Sequence, residues 1–134
     1  MGHTSLPAKD AADIMSFDDY VAAHLEKPFK WGENDCVTFA VGWVNIRTGK
    51  DWLAELPKWN SAMQAHKLIH RLGGLEYLID KALPRIHANY SKDGDITLGD
   101  NTVYLVAGEH IIGPGFDGLI FLDRTLIKCA WSYY

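Results

Sequence analysis

Cys36 is the residue of this chain whose type and position best suit catalysis. Asn34 and Asp35, just before it, are good helix-capping residues, and the sequence from Val37 onward has a helical apolar pattern. Cys36 is therefore expected in a first helical turn, where unpaired N–H groups and the helix dipole favour the thiolate. This position predicts the nucleophile of a cysteine hydrolase, with Asp35 as helix cap and orienting residue. The alternative is that Cys36 is a small buried side chain that only fills the core.

A cysteine hydrolase also needs a general base, and histidine is the usual one. His110 is the one histidine in a strand-like segment and is the candidate base; the alternative is an ordinary hairpin residue. His66 and His70 stand four residues apart, but zinc would need about two more ligands and no Cys/His cluster follows. We therefore predict no metal and no cofactor, with these two histidines at solvated helix positions. Cys129 is expected to pack in the interior.

Composition limits the classes of protein to consider. The chain has 134 residues, 48% of them hydrophobic, which is enough for one domain with its own core. A net charge of −4 without a Lys/Arg run disfavours nucleic-acid binding. No apolar stretch reaches the ~18 residues of a membrane span, and residues 1–10 do not resemble a secretory signal. Two cysteines are too few for a disulfide framework, so we expect synthesis in the cytoplasm.

Four helices are predicted in the first two-thirds of the chain from three- and four-residue apolar spacing. They run from Ser16 to about Glu26, from Cys36 to Gly49, from Asn60 or Ser61 to Gly73, and from Leu75 to Leu83. The second is apolar around much of its circumference and is expected to be the central buried helix. The third is expected to present an apolar face formed by Met63, Leu68, Ile69 and Leu72.

The last third is predicted to form strands, because β-branched and aromatic runs alternate there with glycine-rich turns. The predicted strands are Ile96–Leu98, Thr102–Ala107, His110–Ile112 and Leu119–Leu122, with a further one in the tail. Gly113-Pro114-Gly115 is expected to end the third strand. Helices followed by strands indicate an α+β fold, with N-terminal helices packed on a C-terminal antiparallel sheet. We expect residues 1–14 to be a flexible arm and residues 15–134 to form a single domain.

The motifs resemble those of the NlpC-type cysteine peptidases, which have a papain-like α+β fold and cleave peptidoglycan stem peptides. Asp35-Cys36 at a helix start, then Phe39, with Gly94-Asp95-Ile96 opening a later sheet, carry this resemblance. It implies a base histidine opening the second strand and a third polar residue on the next. Those positions fall at Asn101 or Thr102 and near Gly113, so the resemblance implies the fold together with a degenerate site.

A closer resemblance covers nearly the whole chain and is to small proteins encoded in the tail region of tailed phages and prophages. It is carried by a W-G-x-N-D-C signature at residues 31–36 and by further motifs: Thr48-Gly49, Gly73-Gly74-Leu75-Glu76, Pro114-Gly115, Asp117-Gly118-Leu119 and Ala130-Trp131. It implies a tail-tip or tail-assembly component, with other tail-tip and hub proteins as partners and the virion tail as location. The first alternative is an active hydrolase on peptidoglycan, with Cys36 as nucleophile and His110 as base. The second alternative is an inhibitor or adaptor that presents a hydrophobic groove.

Overall fold

The computed structural model describes residues 15–133, so the predicted arm at residues 1–14 lies outside the described part. The helices are α1 (Phe17–His24), α2 (Cys36–Thr48), α3 (Ala62–Arg71) and α4 (Leu75–Ala82). The strands are β1 (Arg85–Ile86), β2 (Ile96–Gly99), β3 (Thr102–Ala107), β4 (His110–Gly115), β5 (Gly118–Asp123) and β6 (Cys129–Trp131). The α+β class predicted from the sequence is confirmed.

Side-chain caps set the helix boundaries where the sequence predicted them. Ser16 and Ser61 accept hydrogen bonds from backbone N–H groups in the first turns of α1 and α3. Asp35 caps α2, and Gly49 ends it in the left-handed conformation at φ 76°. These local contacts determine where Cys36 lies, at the first residue of α2.

Helix α2 is the centre of the core, as its apolar pattern predicted. Its buried side chains are Phe39, Ala40, Trp43 and Val44, and they pack in one cluster with residues of β2, β3 and β4. The Tyr20 hydroxyl of α1 donates a hydrogen bond of 2.6 Å to the Phe39 carbonyl, and burial raises the pKa of that phenol. The first two helices are therefore held together by both apolar packing and a buried polar contact.

The six strands form one antiparallel sheet in the order β1-β6-β2-β3-β4-β5. Val103 and Leu105 of β3 belong to the main core, whereas Tyr104 and Val106 pack with Ile111 in a second cluster. This alternation follows from the two-residue period of a strand. The middle of β3 is thus buried on both faces, which fixes its register beneath the start of α2. Between residues 15 and 133, no helix has both the length and the apolar character needed to cross a membrane.

The prediction that Gly113-Pro114-Gly115 ends the third strand is wrong, since β4 continues to Gly115. Pairing of β4 with β3 stops at Ile112, while pairing with β5 continues through Pro114 and Gly115. Pro114 lacks an N–H to donate, and it lies where β4 has no β3 partner to receive one. The proline is tolerated because this end of β4 has no paired strand on the side of β3.

The predicted apolar face of the third helix is also wrong at one residue. Met63 is 65% exposed, and the buried residues of α3 are Ala65 and Leu68. Five positions separate Met63 from Leu68, which places their side chains about 140° apart around a helix. The sequence reading also missed β1, because a two-residue strand is too short to show alternation.

Candidate functional site at the start of α2

Asp35 joins three segments of the chain at the start of α2. It is 1% exposed. Its Oδ1 accepts hydrogen bonds from the backbone N–H and the hydroxyl of Thr38, at 2.9 and 3.1 Å. Its Oδ2 accepts from the Gly32 N–H at 2.8 Å and from the Trp59 indole at 2.7 Å. Thr38 completes a capping box by accepting from the Asp35 N–H. The predicted cap is confirmed, and the same carboxylate also fixes the loop before α2.

Gly32 is required by close contact with the segment that precedes α3. Its φ is 80°, and a Cβ built there would lie 2.0 Å from the Trp59 carbonyl oxygen. Any other residue would push the two segments apart, and the Trp59 indole would then leave Asp35. The glycine of the signature therefore serves the same contact as its aspartate.

Asn34 anchors the other side of this loop. Its side chain is 2% exposed and donates to the carbonyls of Lys27 and Pro28, at 3.3 and 2.9 Å. Its backbone N–H donates to the Lys30 carbonyl at 2.7 Å. Three residues of the signature, Gly32, Asn34 and Asp35, thus hold the backbone that presents Cys36.

The Cys36 sulfur lies between the first turn of α2 and the start of β3. Burial raises the pKa of the Cys36 thiol, and the negative charge of Asp35 raises it further. Hydrogen bonding from the Val103, Val37 and Cys36 N–H groups acts in the opposite direction but does not outweigh burial. The helix position alone favours the thiolate, but the net effect of these surroundings is to raise the pKa of the Cys36 thiol.

Cys36 opens onto a pocket of about 310 Å³ between α2, α3 and the ends of β3 and β4. Its walls are mostly apolar and aromatic. The lining residues are Phe29, Trp31, Asp35, Cys36, Val37, Leu56, Trp59, Ala65, His66, Leu68, Ile69, Leu72, Leu75, Leu78, Asn101, Thr102 and Pro114. This volume lies at the lower end of the range for small-ligand sites. A second, larger pocket of about 420 Å³ adjoins it and shares Val37, Leu56 and three leucines of α3 and α4.

Asn101 and Thr102, the positions that the NlpC resemblance assigned to the base, line the Cys36 pocket. Asn101 lies in the β2–β3 turn at φ 58°, and Thr102 opens β3. Neither side chain takes up a proton near neutral pH. The third position, Gly113, is covered by Tyr104, because a Cβ there would lie 3.1 Å from the Tyr104 ring.

His110 lies away from this pocket. It opens β4 opposite Ala107, four residues along β3 from the Val103 N–H that faces Cys36. Four residues of strand span roughly 13 Å. His110 instead pairs with Asp123 and contacts the Phe121 ring at a centroid distance of 6.0 Å. This placement does not bring His110 to Cys36 as a general base.

His66 is exposed, as its helix position predicted, and it also lines the Cys36 pocket. Its ring contacts Trp31 edge-on at a centroid distance of 6.5 Å. His66 and Trp59 reach the site through tertiary packing of α3, so no sequence spacing pointed to them. In the described range, no group of three or more His, Cys, Asp or Glu side chains could hold a metal ion.

Comparison with known proteins gives a family for the chain. The model of the Domain of unknown function (DUF6950) matches residues 12–133. The chain belongs to the DUF6950 family. No curated protein and no solved structure gives a significant match. The matched range contains the capping loop, Cys36 and every residue that lines the pocket of this DUF6950 domain.

Proposed function

We propose that this chain is a tail-tip or tail-assembly component of a tailed phage or prophage, built on a papain-like domain of the NlpC type that does not hydrolyse peptides. The tail role rests on the motifs shared with tail-region proteins, from Trp31 to Trp131. The absence of turnover rests on the chemistry around Cys36.

One observation carries the proposal: Cys36 faces the start of β3, where the NlpC pattern requires a histidine and this chain has Asn101 and Thr102. Without a base, the thiol is not deprotonated for attack. No acid then delivers a proton to the leaving amine. Burial also disfavours deprotonation, because it raises the pKa of the Cys36 thiol.

The papain-like assignment is supported by the arrangement of elements. A cysteine begins a buried helix, and that helix packs against an antiparallel sheet whose third and fourth strands contribute residues to the pocket beside the cysteine. The role of such a fold here is to present a shaped surface to other tail proteins. Asp35 and Cys36 then belong to the framework of that surface.

The tail role is tested by deleting the gene from a phage or prophage that carries it and imaging the particles. Loss of infectious tails is expected, with rescue by the wild-type gene and by Cys36→Ala. Normal infectious tails without this protein would exclude the assembly role. Rescue by wild type but failure by a folded Cys36→Ala protein would instead favour catalysis.

An active peptidoglycan hydrolase is the second candidate, and His66 is the observation that favours it. His66 lines the same pocket as Cys36, and a cysteine hydrolase needs a histidine near its nucleophile. Purified protein incubated with muropeptides distinguishes the two by chromatography. Cleavage that disappears in both Cys36→Ala and His66→Gln, but persists in His110→Gln, would establish the hydrolase and overturn the non-catalytic proposal.

A further inference from the structure

Three aromatic residues line the Cys36 pocket, namely Phe29, Trp31 and Trp59. The Phe29 and Trp31 rings meet edge-to-face at a centroid distance of 4.8 Å, with their planes at 81°. Aromatic faces attract cations through their quadrupole, most strongly where water is excluded.

The same pocket contains a buried negative charge. Asp35 lines it, and all four hydrogen bonds to the Asp35 carboxylate come from uncharged donors. These donors satisfy the oxygens but bring no positive charge. No Lys or Arg is among the pocket-lining residues of the described chain, and no ion pair to Asp35 occurs within it. A cation in the pocket would therefore meet a carboxylate that lacks a counter-charge.

The N-terminus of α2 does not make this an anion site. The Thr38 N–H is used by Asp35, and the Val37 and Cys36 N–H groups are directed to the sulfur. The Phe39 N–H donates within the helix to the Asp35 carbonyl at 2.9 Å. The first-turn donors are thus already engaged.

The rest of the wall selects the shape of the cation. Leu68, Ile69, Leu72 and Leu75 also line the pocket and are aliphatic. A ligand that fits has an aliphatic stem and a compact charged end. A lysine side chain has both properties.

We propose that the pocket bounded by Phe29, Trp31, Trp59 and Asp35 binds an alkylammonium group, the lysine side chain of a partner protein. The ammonium lies against the aromatic faces near Asp35, and the methylene stem lies along the leucines of α3 and α4. The inference rests on the proposed tail function only for the source of the lysine. The pocket itself is testable on the isolated chain, so its failure and that of the tail role are distinguishable.

The test compares small probes that share one stem. N-acetyl-lysine methylamide is titrated into the full chain, and binding is followed by NMR through the indole N–H signals of Trp31 and Trp59. N-acetyl-norleucine methylamide lacks the ammonium, and N-acetyl-glutamate supplies an anion. We expect the lysine probe to bind about tenfold more tightly than the norleucine probe, with the glutamate probe weakest. Equal binding of the lysine and norleucine probes, or tighter binding of glutamate, would overturn the proposal.

Two variants locate the site. Trp31→Leu keeps the wall apolar but removes a π face, and we expect it to lose most of the preference for lysine over norleucine. Trp52→Leu is the matched control, since Trp52 lines the adjoining pocket instead. Asp35→Asn should also lose that preference if it folds; if it does not, Trp31→Leu decides. An unchanged preference in folded Trp31→Leu would contradict the assignment.

Discussion

Asp35 and Asp95 are both at most 1% exposed, and each belongs to a sequence motif of this chain, but their carboxylates have different surroundings. Asp35 receives four hydrogen bonds from three residues, shared equally between its two oxygens. Asp95 uses only Oδ2, which accepts from the backbone N–H and the ammonium of Lys92 at 2.9 and 3.3 Å. Its Oδ1 is buried and has no hydrogen-bond partner in the structure from residue 15 to 133.

The two aspartates therefore have different structural roles. Asp35 connects segments that are far apart in sequence, and it lines the pocket beside Cys36. Asp95 stabilises its own turn before β2 and does not line that pocket. A buried aspartate in a motif thus marks the candidate site only where its partners come from several segments. Disturbing the contacts of Asp35 should therefore lower the free energy of unfolding more than disturbing those of Asp95.

Asp35→Ala is expected to have the largest effect. It removes the α2 cap and leaves the Gly32 N–H and the Trp59 indole without their acceptor, so the free energy of unfolding should fall by roughly 3–5 kcal/mol. Urea denaturation followed by tryptophan fluorescence measures this. Asp18→Ala, at an exposed first-turn position of α1, is the control and should change stability by no more than about 0.5 kcal/mol. A loss below about 1 kcal/mol at Asp35 would show that its four contacts do not hold the loop.

Gly32→Ala sharpens the comparison by disturbing the Asp35 framework without touching the carboxylate. The added Cβ would collide with the Trp59 carbonyl, so we expect a loss of roughly 3 kcal/mol. Gly49→Ala is a matched control, because its φ of 76° is close to the 80° of Gly32 but nothing lies within 4 Å of the added Cβ. That variant should lose only about 1 kcal/mol. Equal losses in the two unfolding curves would mean that only backbone conformation matters at Gly32.

Asp95→Asn is expected to have the smallest effect on stability. The amide keeps one oxygen to accept the Lys92 N–H, and the lost attraction is to an ammonium group whose side chain is 53% exposed. We expect a decrease of about 1 kcal/mol in the free energy of unfolding. The same denaturation experiment applies. A loss as large as that of Asp35→Ala would remove the distinction between the two aspartates.

Much of the fold follows from local sequence rules. Ser16, Asp35 and Gly49 mark helix ends through their own side-chain or backbone chemistry, and the run Thr102–Ala107 is a strand with the predicted bounds. The candidate site was less predictable. Trp59 reaches Asp35 from 24 residues away, and His66 arrives on a separate helix, so neither contact leaves a local pattern.

The pKa of the Cys36 thiol shows why the properties of the candidate site could not be predicted from the sequence. Its position at a helix start favours the thiolate, and that position is readable from the sequence. Its burial depends on the packing of α2 against β3, which only the tertiary structure reveals. Burial is the larger influence on the pKa of this thiol, so the local rule gave the opposite direction from the folded protein.

The pH dependence of Cys36 alkylation tests the central claim, that Cys36 is a partly buried thiol without a base. Iodoacetamide labelling is measured on native protein in a Cys129→Ala background, with the same chain unfolded in urea as reference. Because burial raises the pKa of Cys36, labelling of the native protein should be slow at neutral pH and rise at higher pH than in the unfolded chain. His66→Gln should leave the native profile unchanged. Rapid labelling near neutral pH that is lost in His66→Gln would reveal a thiolate–imidazolium pair and contradict the account.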